Sequence, residues 1–378
     1  MASSRESKTA GISFDMQFLK NSVMKLYSYE LDFKKSLLLK GAFQKNRKGI
    51  IIEILAPGGA KTFGEISPLP FFSHESYGQA LEQIKYIRDV INFQKSPDSK
   101  QFLQQIISGK KKLLPSVQAG IDMAALNLAV LSGEIFDNMN RYMPVNGLVS
   151  FNEKPSDEQI EAEALRIIKK GYGTVKLKVA RLSPDEDLYI AEKLSSIFEQ
   201  KIRFRFDANC MWNLDDAIYF SKGLSSIGMD SLTDYLEDPL KDDLGLAHLH
   251  SITGIGIALD EKKAPAGSAP LFLKAIIIKP TIAGGFSSTI KILDYCKASR
   301  ITPVLSSSFE TGLGIASISL FGMIFSGPEY APAGLDTLEW FSSDIPDKVL
   351  EIKNSRINAA DALRAVRDLD ISRLKVIE

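Results

Sequence analysis

Residues 174–210 read TVKLKVARLSPDEDLYIAEKLSSIFEQKIRFRFDANC. Thr174–Val179 and Ile202–Phe206 are short runs rich in β-branched and aromatic residues, the signature of strands. Between them, Pro184–Phe198 repeats its apolar residues at helical spacing. Both runs end on charge: Lys176 and Lys178 in the first, Asp207 with Asn209 after the second. The same alternation continues on both sides. Apolar runs recur near Val145–Val149, Leu236, Gly256–Leu259, Ala275–Ile278, Pro303–Leu305 and Gly334–Leu335. Helical patterns separate them at Asp157–Lys170, Asp215–Leu224, Ser287–Lys297 and Leu313–Phe325. Eight strand-like runs over roughly 200 residues suit a (β/α) barrel. An open doubly wound sheet would want a Gly-rich turn after its first strand, and none is present.

The chain has 378 residues, more than one small domain needs. Upstream of the barrel pattern, Met24–Phe33, Gly49–Leu55 and Lys61–Ile66 read as strands of another sheet. Tyr77–Phe93 and Ser116–Leu131 read as helices, which makes an α+β domain. The expected division is a polar extension over 1–23, an α+β capping domain over 24–140, the barrel over 141–340, and a C-terminal segment over 341–378 that packs back on the capping domain.

Lys+Arg and Asp+Glu both number 46, so no net charge draws the chain to nucleic acid or an anionic membrane. No apolar run reaches about 18 residues, which argues against membrane insertion. The N-terminus has no apolar core of a secretory signal. Only Cys210 and Cys296 occur, far apart, so neither a disulfide framework nor zinc spacing is present. A cytoplasmic protein is expected.

The polar clusters closing the apolar runs carry the chemistry. From Lys178 they continue at Asp207, Glu237, Asp260, Lys279 and Ser306, in steps of 29, 30, 23, 19 and 27 residues. Each step is about one strand plus one helix. Strand ends at the C-terminal face of a barrel converge on one pocket. Asp207, Glu237 and Asp260 would then meet, and three clustered carboxylates call for a hard cation. An all-oxygen set favours Mg2+ or Mn2+ over zinc.

Lys176 and Lys178 share a strand face, and each ammonium disfavours the charge on the other, so Lys178 is the candidate base. Removing a proton next to a carboxylate leaves an enediolate, which the metal and Lys279 would hold. The substrate class is thus a small-molecule carboxylate. Asn209 serves either the metal region or the cap of a helix beginning near Trp212. Glu261 supports the site, touching the metal or pairing with a lysine. Ser306 and Ser307 are candidate substrate contacts. Gly284–Gly285 suggests a backbone site for an anion. His74 lies in a loop able to reach the pocket, whereas His248 and His250 read as surface.

These motifs in this order, namely GEISPLPFFSHES (64–76), KLK (176–178), RFDAN (205–209), LEDP (236–239), LDE (259–261), IKPT (278–281), SSSFETGLG (306–314) and PAGLDT (332–337), resemble the enolase superfamily. The resemblance covers nearly everything after residue 24 and implies a capping domain over a modified (β/α)7β TIM-type barrel. Within the superfamily the chain most resembles the o-succinylbenzoate synthases. That implies Mg2+ on Asp207, Glu237 and Asp260, and Lys178 as base and then acid. It further implies Lys279 as the facing cation, with Ser307 and Gly334 beside the ring and succinyl chain. The implied reaction is a dehydration in menaquinone synthesis. Dipeptide epimerases and N-acylamino acid racemases share the fold; the epimerases carry an acidic DxD element on the last strand, where this chain has GLDTLE.

Overall fold

The computed structural model describes residues 16–39, 42–93, 97–135, 138–263, 265, 267–325 and 331–378. Three strands, β1 (Val23–Leu39), β2 (Ala42–Leu55) and β3 (Lys61–Ile66), form an antiparallel sheet. Ile50–Ile54 is apolar at nearly every position because this sheet is covered on both sides. Ile50, Ile52 and Ile54 pack with α1 (Tyr77–Phe93), α2 (Pro97–Ile107) and α3 (Pro115–Leu131). Tyr27, Tyr29, Leu31, Ile51 and Phe63 join the large core shared with the barrel. The sequence patterns place α1 and α3 to within a residue and miss α2. Of the expected extension 1–23, residues 1–15 lie outside the described set, and Met16 and Leu19 of a short helical turn are buried in the capping core.

The second sheet has seven parallel strands: β5 (Gly147–Val149), β6 (Thr174–Lys178), β7 (Arg203–Asp207), β8 (Thr233–Glu237), β9 (Ile257–Asp260), β10 (Leu273–Ile278) and β11 (Thr302–Leu305). They lie in sequence order across the sheet. The two edges meet through residues 333–334. Gly334 N–H donates to Leu305 O at 2.9 Å, and Ala333 N–H donates to Pro144 O at 2.8 Å. Parallel bridges Ser306–Gly334 and Val145–Ala333 complete the closure, so the barrel expected from the sequence forms. A short β4 (Tyr142–Pro144) precedes β5 and pairs with β12 (Arg356–Asn358).

Strand alternation sorts the side chains. Tyr235, Ala258, Ala275, Ile277 and Val304 form a compact cluster of their own inside the barrel. The intervening Leu236, Ile257, Ile276 and Ile278 belong to the larger core. Arg205 fills the interior below the strand ends, its guanidinium 5.3 Å from the Tyr235 ring centroid and hydrogen-bonded to Asn146 Oδ1 at 3.0 Å.

Helices α4 (Asp157–Lys169) and α5 (Pro184–Ile197) start with capping boxes on Ser156 and Ser183, and α6 (Leu214–Ser226) with Asn213. After β8 come α7 (Leu246–Thr253), α8 (Pro280–Ala283), α9 (Phe286–Ser299) and α10 (Gly312–Phe325). Near the C-terminus, α11 (Ala359–Arg367) packs on α10 and α3, and β13 (Lys375–Val376) pairs with β1. No described helix is long and apolar enough to cross a membrane.

Candidate active site

Cross-strand register brings the charged ends together: Lys178 stands opposite Asp207, and Asp207 opposite Glu237. These residues line a cavity of about 350 Å³ at the C-terminal ends of the strands, with Lys176, Asn209, Lys279, Ser306, Ser307 and Gly334 on its wall. The capping domain contributes Leu37, Leu69 and Phe72, and Phe309 and Trp340 add an aromatic side. His74 is exposed and is not part of the wall.

The lysines thread between the carboxylates. Lys176 Nζ lies 2.7 Å from the Glu237 carboxylate and 3.2 Å from Asp207 Oδ2. Lys178 Nζ is 2.5 Å from Asp207 Oδ2 and donates to Asn209 Oδ1 at 3.0 Å. Across the cavity, Lys279 Nζ lies 2.7 Å from Asp260 Oδ1, and its backbone N–H donates to Glu261 Oε2 at 3.1 Å. Glu261 therefore meets Lys279 through the main chain. Asn209 does not cap a helix, since Asn213 does that by accepting from Asp216 N–H at 2.8 Å. Asn209 instead sits in the left-handed region at φ 48° and holds Lys178.

Electrostatics separates the amines. Burial is the largest influence on Lys178 and pulls it below the ordinary amine value; the Lys176 ammonium works in the same direction, against Asp207. The sequence argument rested on the lysine pair alone, and desolvation is the stronger cause. Lys176 and Lys279 go the other way. Burial opposes their charge, but Glu237 and Asp207 hold Lys176 protonated, and Asp260 and Glu261 hold Lys279. Burial likewise opposes the Asp207 charge, yet Lys178 and Lys176 keep it well below the usual carboxylate range. Glu237 is pushed up to about 8 by burial and then by the Asp207 charge.

Among the described residues, no three carboxylate, histidine or cysteine groups stand close enough to enclose an ion as placed. The donor chemistry nevertheless fits a hard divalent cation. Asp207, Glu237 and Asp260 end three adjacent strands with oxygen ligands only. Glu237 Oε2 and Asp260 Oδ1 are buried without a properly directed hydrogen bond, although each has an ammonium nearby. A carboxyl pushed up to about 8 by burial and then by the Asp207 charge is one that an added cation would stabilise as the anion.

Ser306 Oγ donates to Gly334 O at 3.3 Å, and Ser307 Oγ is 2.9 Å from Thr337 Oγ1. A Cβ on Gly334 would come within 2.7 Å of Ser306 Oγ, so a larger residue there would displace the Ser306 hydroxyl. The Gly284–Gly285 pair has another use. Gly285 sits at φ 87°, and a Cβ there would meet Asp122 Oδ2 at 2.4 Å. Asp122, on α3, accepts from Ser287 N–H at 2.9 Å, so the helix N-terminus expected to hold an external anion holds a carboxylate of the capping domain. His250 Nδ1 is 2.8 Å from Ile255 O, a local contact beyond α7.

Several polar wall residues were not singled out as site residues from the sequence, among them Asp336, Arg181 and Asn152. Asp336 lies against Arg166 at 3.4 Å and Lys170 at 3.5 Å. Arg181 and Asn152 also border the cavity. Arg181 follows KLKVA by one position, and its place after a strand ending in lysines was the available signal.

Residues 159–368 match the family described as Enolase C-terminal domain-like, and residues 21–128 match the MenC N-terminal domain. The chain is 24% identical to the chloroplastic protein PHYLLO of Arabidopsis thaliana over 87% of its own length, spanning 22% of that longer protein. It is 28% identical to the o-succinylbenzoate synthase of Pasteurella multocida, with 85% of this chain and 94% of that one covered. Among solved structures, a dipeptide epimerase from Enterococcus faecalis complexed with Mg and the dipeptide L-Leu-L-Tyr superposes with a TM-score of 0.73 at 18% identity, covering 89% of this chain and 96% of that one. With a capping sheet, a closed parallel barrel and a family match spanning more than half its length, the chain belongs to the enolase superfamily.

Proposed function

We propose that this enzyme is a hydro-lyase of the o-succinylbenzoate synthase type, acting on a cyclohexadiene carboxylate that bears a hydroxyl and a succinyl chain. The observation that carries it is the placement of two lysines of opposite character across one cavity: Lys178, pulled below the ordinary amine value, and Lys279, held as a cation. The match to the MenC N-terminal domain and the similarity to o-succinylbenzoate synthases support the substrate.

Neutral Lys178 Nζ takes the proton α to the ring carboxylate, and the C–H electron pair passes into the enediolate. Lys279 stabilises the growing negative charge from the opposite face. As the electron pair returns to form the ring double bond, the C–O bond breaks. The Lys178 ammonium returns its proton to the departing hydroxide, giving water and the aromatic acid. Asp207, Glu237 and Asp260 would hold Mg2+ or Mn2+, which neutralises the substrate carboxylate and the charge gathering on it. Leu69 and Phe72 of the capping domain give the cavity an apolar cover, which would limit the access of water to the reacting atoms.

Epimerisation of a dipeptide is the second reading, since a dipeptide epimerase shares the fold. It calls for an acidic group free to receive the substrate ammonium. Asp336, the acid of GLDT on the cavity wall, has Arg166 at 3.4 Å and Lys170 at 3.5 Å to balance its charge, although its Oδ1 makes no hydrogen bond, and this pairing favours the dehydratase. The deciding assay follows aromatic absorbance from the cyclohexadiene acid with and without Mg2+. Metal-dependent product is expected, with chelator abolishing it and Mg2+ restoring it. No product, together with deuterium exchange at Cα of a dipeptide in heavy water, would replace this function by the second.

A further inference from the structure

Four cationic side chains border the cavity: Lys176, Lys178, Lys279 and Arg181. The three lysines each have a carboxylate within ion-pair distance. Arg181 has none among the described residues. Its Nη1 donates to two neutral acceptors, Ser150 Oγ at 2.7 Å and Asn152 Oδ1 at 2.6 Å, in the segment following β5. Asp187 and Asp207 attract it only from beyond contact, and burial works against its charge.

Of the two carboxylates that attract Arg181, Asp187 is committed elsewhere. Asp187 Oδ2 accepts from Ala180 N–H at 2.7 Å, and Ala180 takes the left-handed conformation at φ 64°. That tight turn directly precedes Arg181 and fixes where its side chain begins. Ser150 and Asn152 orient one end of the guanidinium, while Nε and Nη2 form no hydrogen bond within the described structure. A half-buried guanidinium with a fixed base, neutral anchors and free donors on a cavity wall is a receptor for a carboxylate. On the wall formed by β11 and residues 334–337, a substrate would meet hydroxyls and backbone, and Asp336 already has Arg166 and Lys170 as ion-pair partners.

We propose that Arg181 binds a second carboxylate of the substrate, so that the site selects a dicarboxylic acid over the same skeleton with a single ring carboxylate. One acid group would lie toward Asp207, Glu237 and Asp260, and the distal one on Arg181, with Leu148 of β5, on the cavity wall, giving the intervening chain an apolar surface. This rests on the proposed dehydratase substrate, whose succinyl chain ends in such a group.

The test is calorimetric binding to the Mg2+-loaded protein of two ligands: the aromatic acid bearing the succinyl chain, and its analogue with the distal carboxylate replaced by methyl. The wild type is expected to bind the diacid at least about tenfold more tightly, the scale of a charge-assisted pair. Arg181→Gln is expected to bring the two affinities within about threefold by weakening the diacid alone. An unchanged ratio in R181Q, or no preference in the wild type, overturns the proposal. Turnover of the cyclohexadiene acid, measured on the same wild-type sample, separates the two claims. A diacid preference lost in R181Q without any turnover keeps Arg181 as the receptor and removes the dehydratase. Turnover with a preference indifferent to Arg181 does the reverse.

Discussion

Lys176 and Lys178 stand two residues apart on one strand face, yet their surroundings assign them different chemistry. Lys176 is locked between Glu237 and Asp207, whereas Lys178 touches one carboxylate and otherwise suffers burial. Replacing Lys178 by alanine is expected to lower kcat by about 10²–10⁴, the usual worth of a positioned general base, in the absorbance assay. A variant retaining near wild-type kcat would reassign the base. Asp122 provides a residue-scale test of stability away from the reaction. Burial raises its carboxyl to about 6 despite the hydrogen bond from Ser287 N–H. The native state therefore binds this proton more tightly than the unfolded chain. The resulting stability is fully present below the unfolded value of 3.8 and is lost as pH rises through about 6. Between about pH 5 and 7 the wild type should lose about 1 kcal/mol relative to Asp122→Asn. Denaturant unfolding of both proteins across that range checks it; parallel curves would show that Asp122 does not titrate there.

At the scale of elements, the α8–α9 junction shows why a pair of glycines follows IKPT. Two positive φ angles turn the chain sharply and let α3 approach the start of α9, where Asp122 occupies the helix terminus. Gly285→Ala combines a strained φ with a 2.4 Å approach to Asp122. It is expected to destabilise the fold by on the order of 2 kcal/mol, read as a lower Tm, through backbone strain and loss of the α3 contact. An unchanged Tm would mean that α9 can move away at no cost. Gly284, whose Cβ would meet only the Ser288 side chain at 3.2 Å, is the natural comparison for the separate effect of φ.

At the scale of the whole molecule, two buried side chains of the capping sheet fasten it to the barrel. Glu65 accepts from the backbone N–H groups of Thr311 and Gly314, each at 3.1 Å, and so caps α10. Arg47 donates to Pro68 O at 2.7 Å and to Ser67 O on the capping loop, and to Ser308 O at 3.3 Å and Phe309 O at 3.1 Å on the barrel. Both segments continue into the cavity wall, through Leu69 and Phe72 on one side and Ser307 and Phe309 on the other. Arg47→Met leaves these carbonyls buried without donors and should cost on the order of 3 kcal/mol. Because Arg47 positions both walls, KM should rise more than kcat falls. Lower stability with unchanged KM would make Arg47 a purely structural fastener.

The linear chain by itself determined the barrel, because strand and helix periods repeat locally, and it placed Lys176, Lys178, Asp207, Glu237, Asp260 and Lys279 at strand ends, where a barrel must converge. It also carried the motifs that mark the superfamily. Helix α2 was less legible, since the charge and polar density of Pro97–Ile107 leave only Leu103 and Ile106 to bury. Tertiary structure alone decided what each polar group touches. Asn209 serves Lys178 and leaves the cap to Asn213, Glu261 reaches Lys279 through the backbone, Asp336 pairs with Arg166 and Lys170, and Arg181 has no carboxylate in contact among the described residues. The reason is physical: periodicity depends on neighbours a few residues apart, whereas ion pairing and desolvation depend on groups brought together from across the chain.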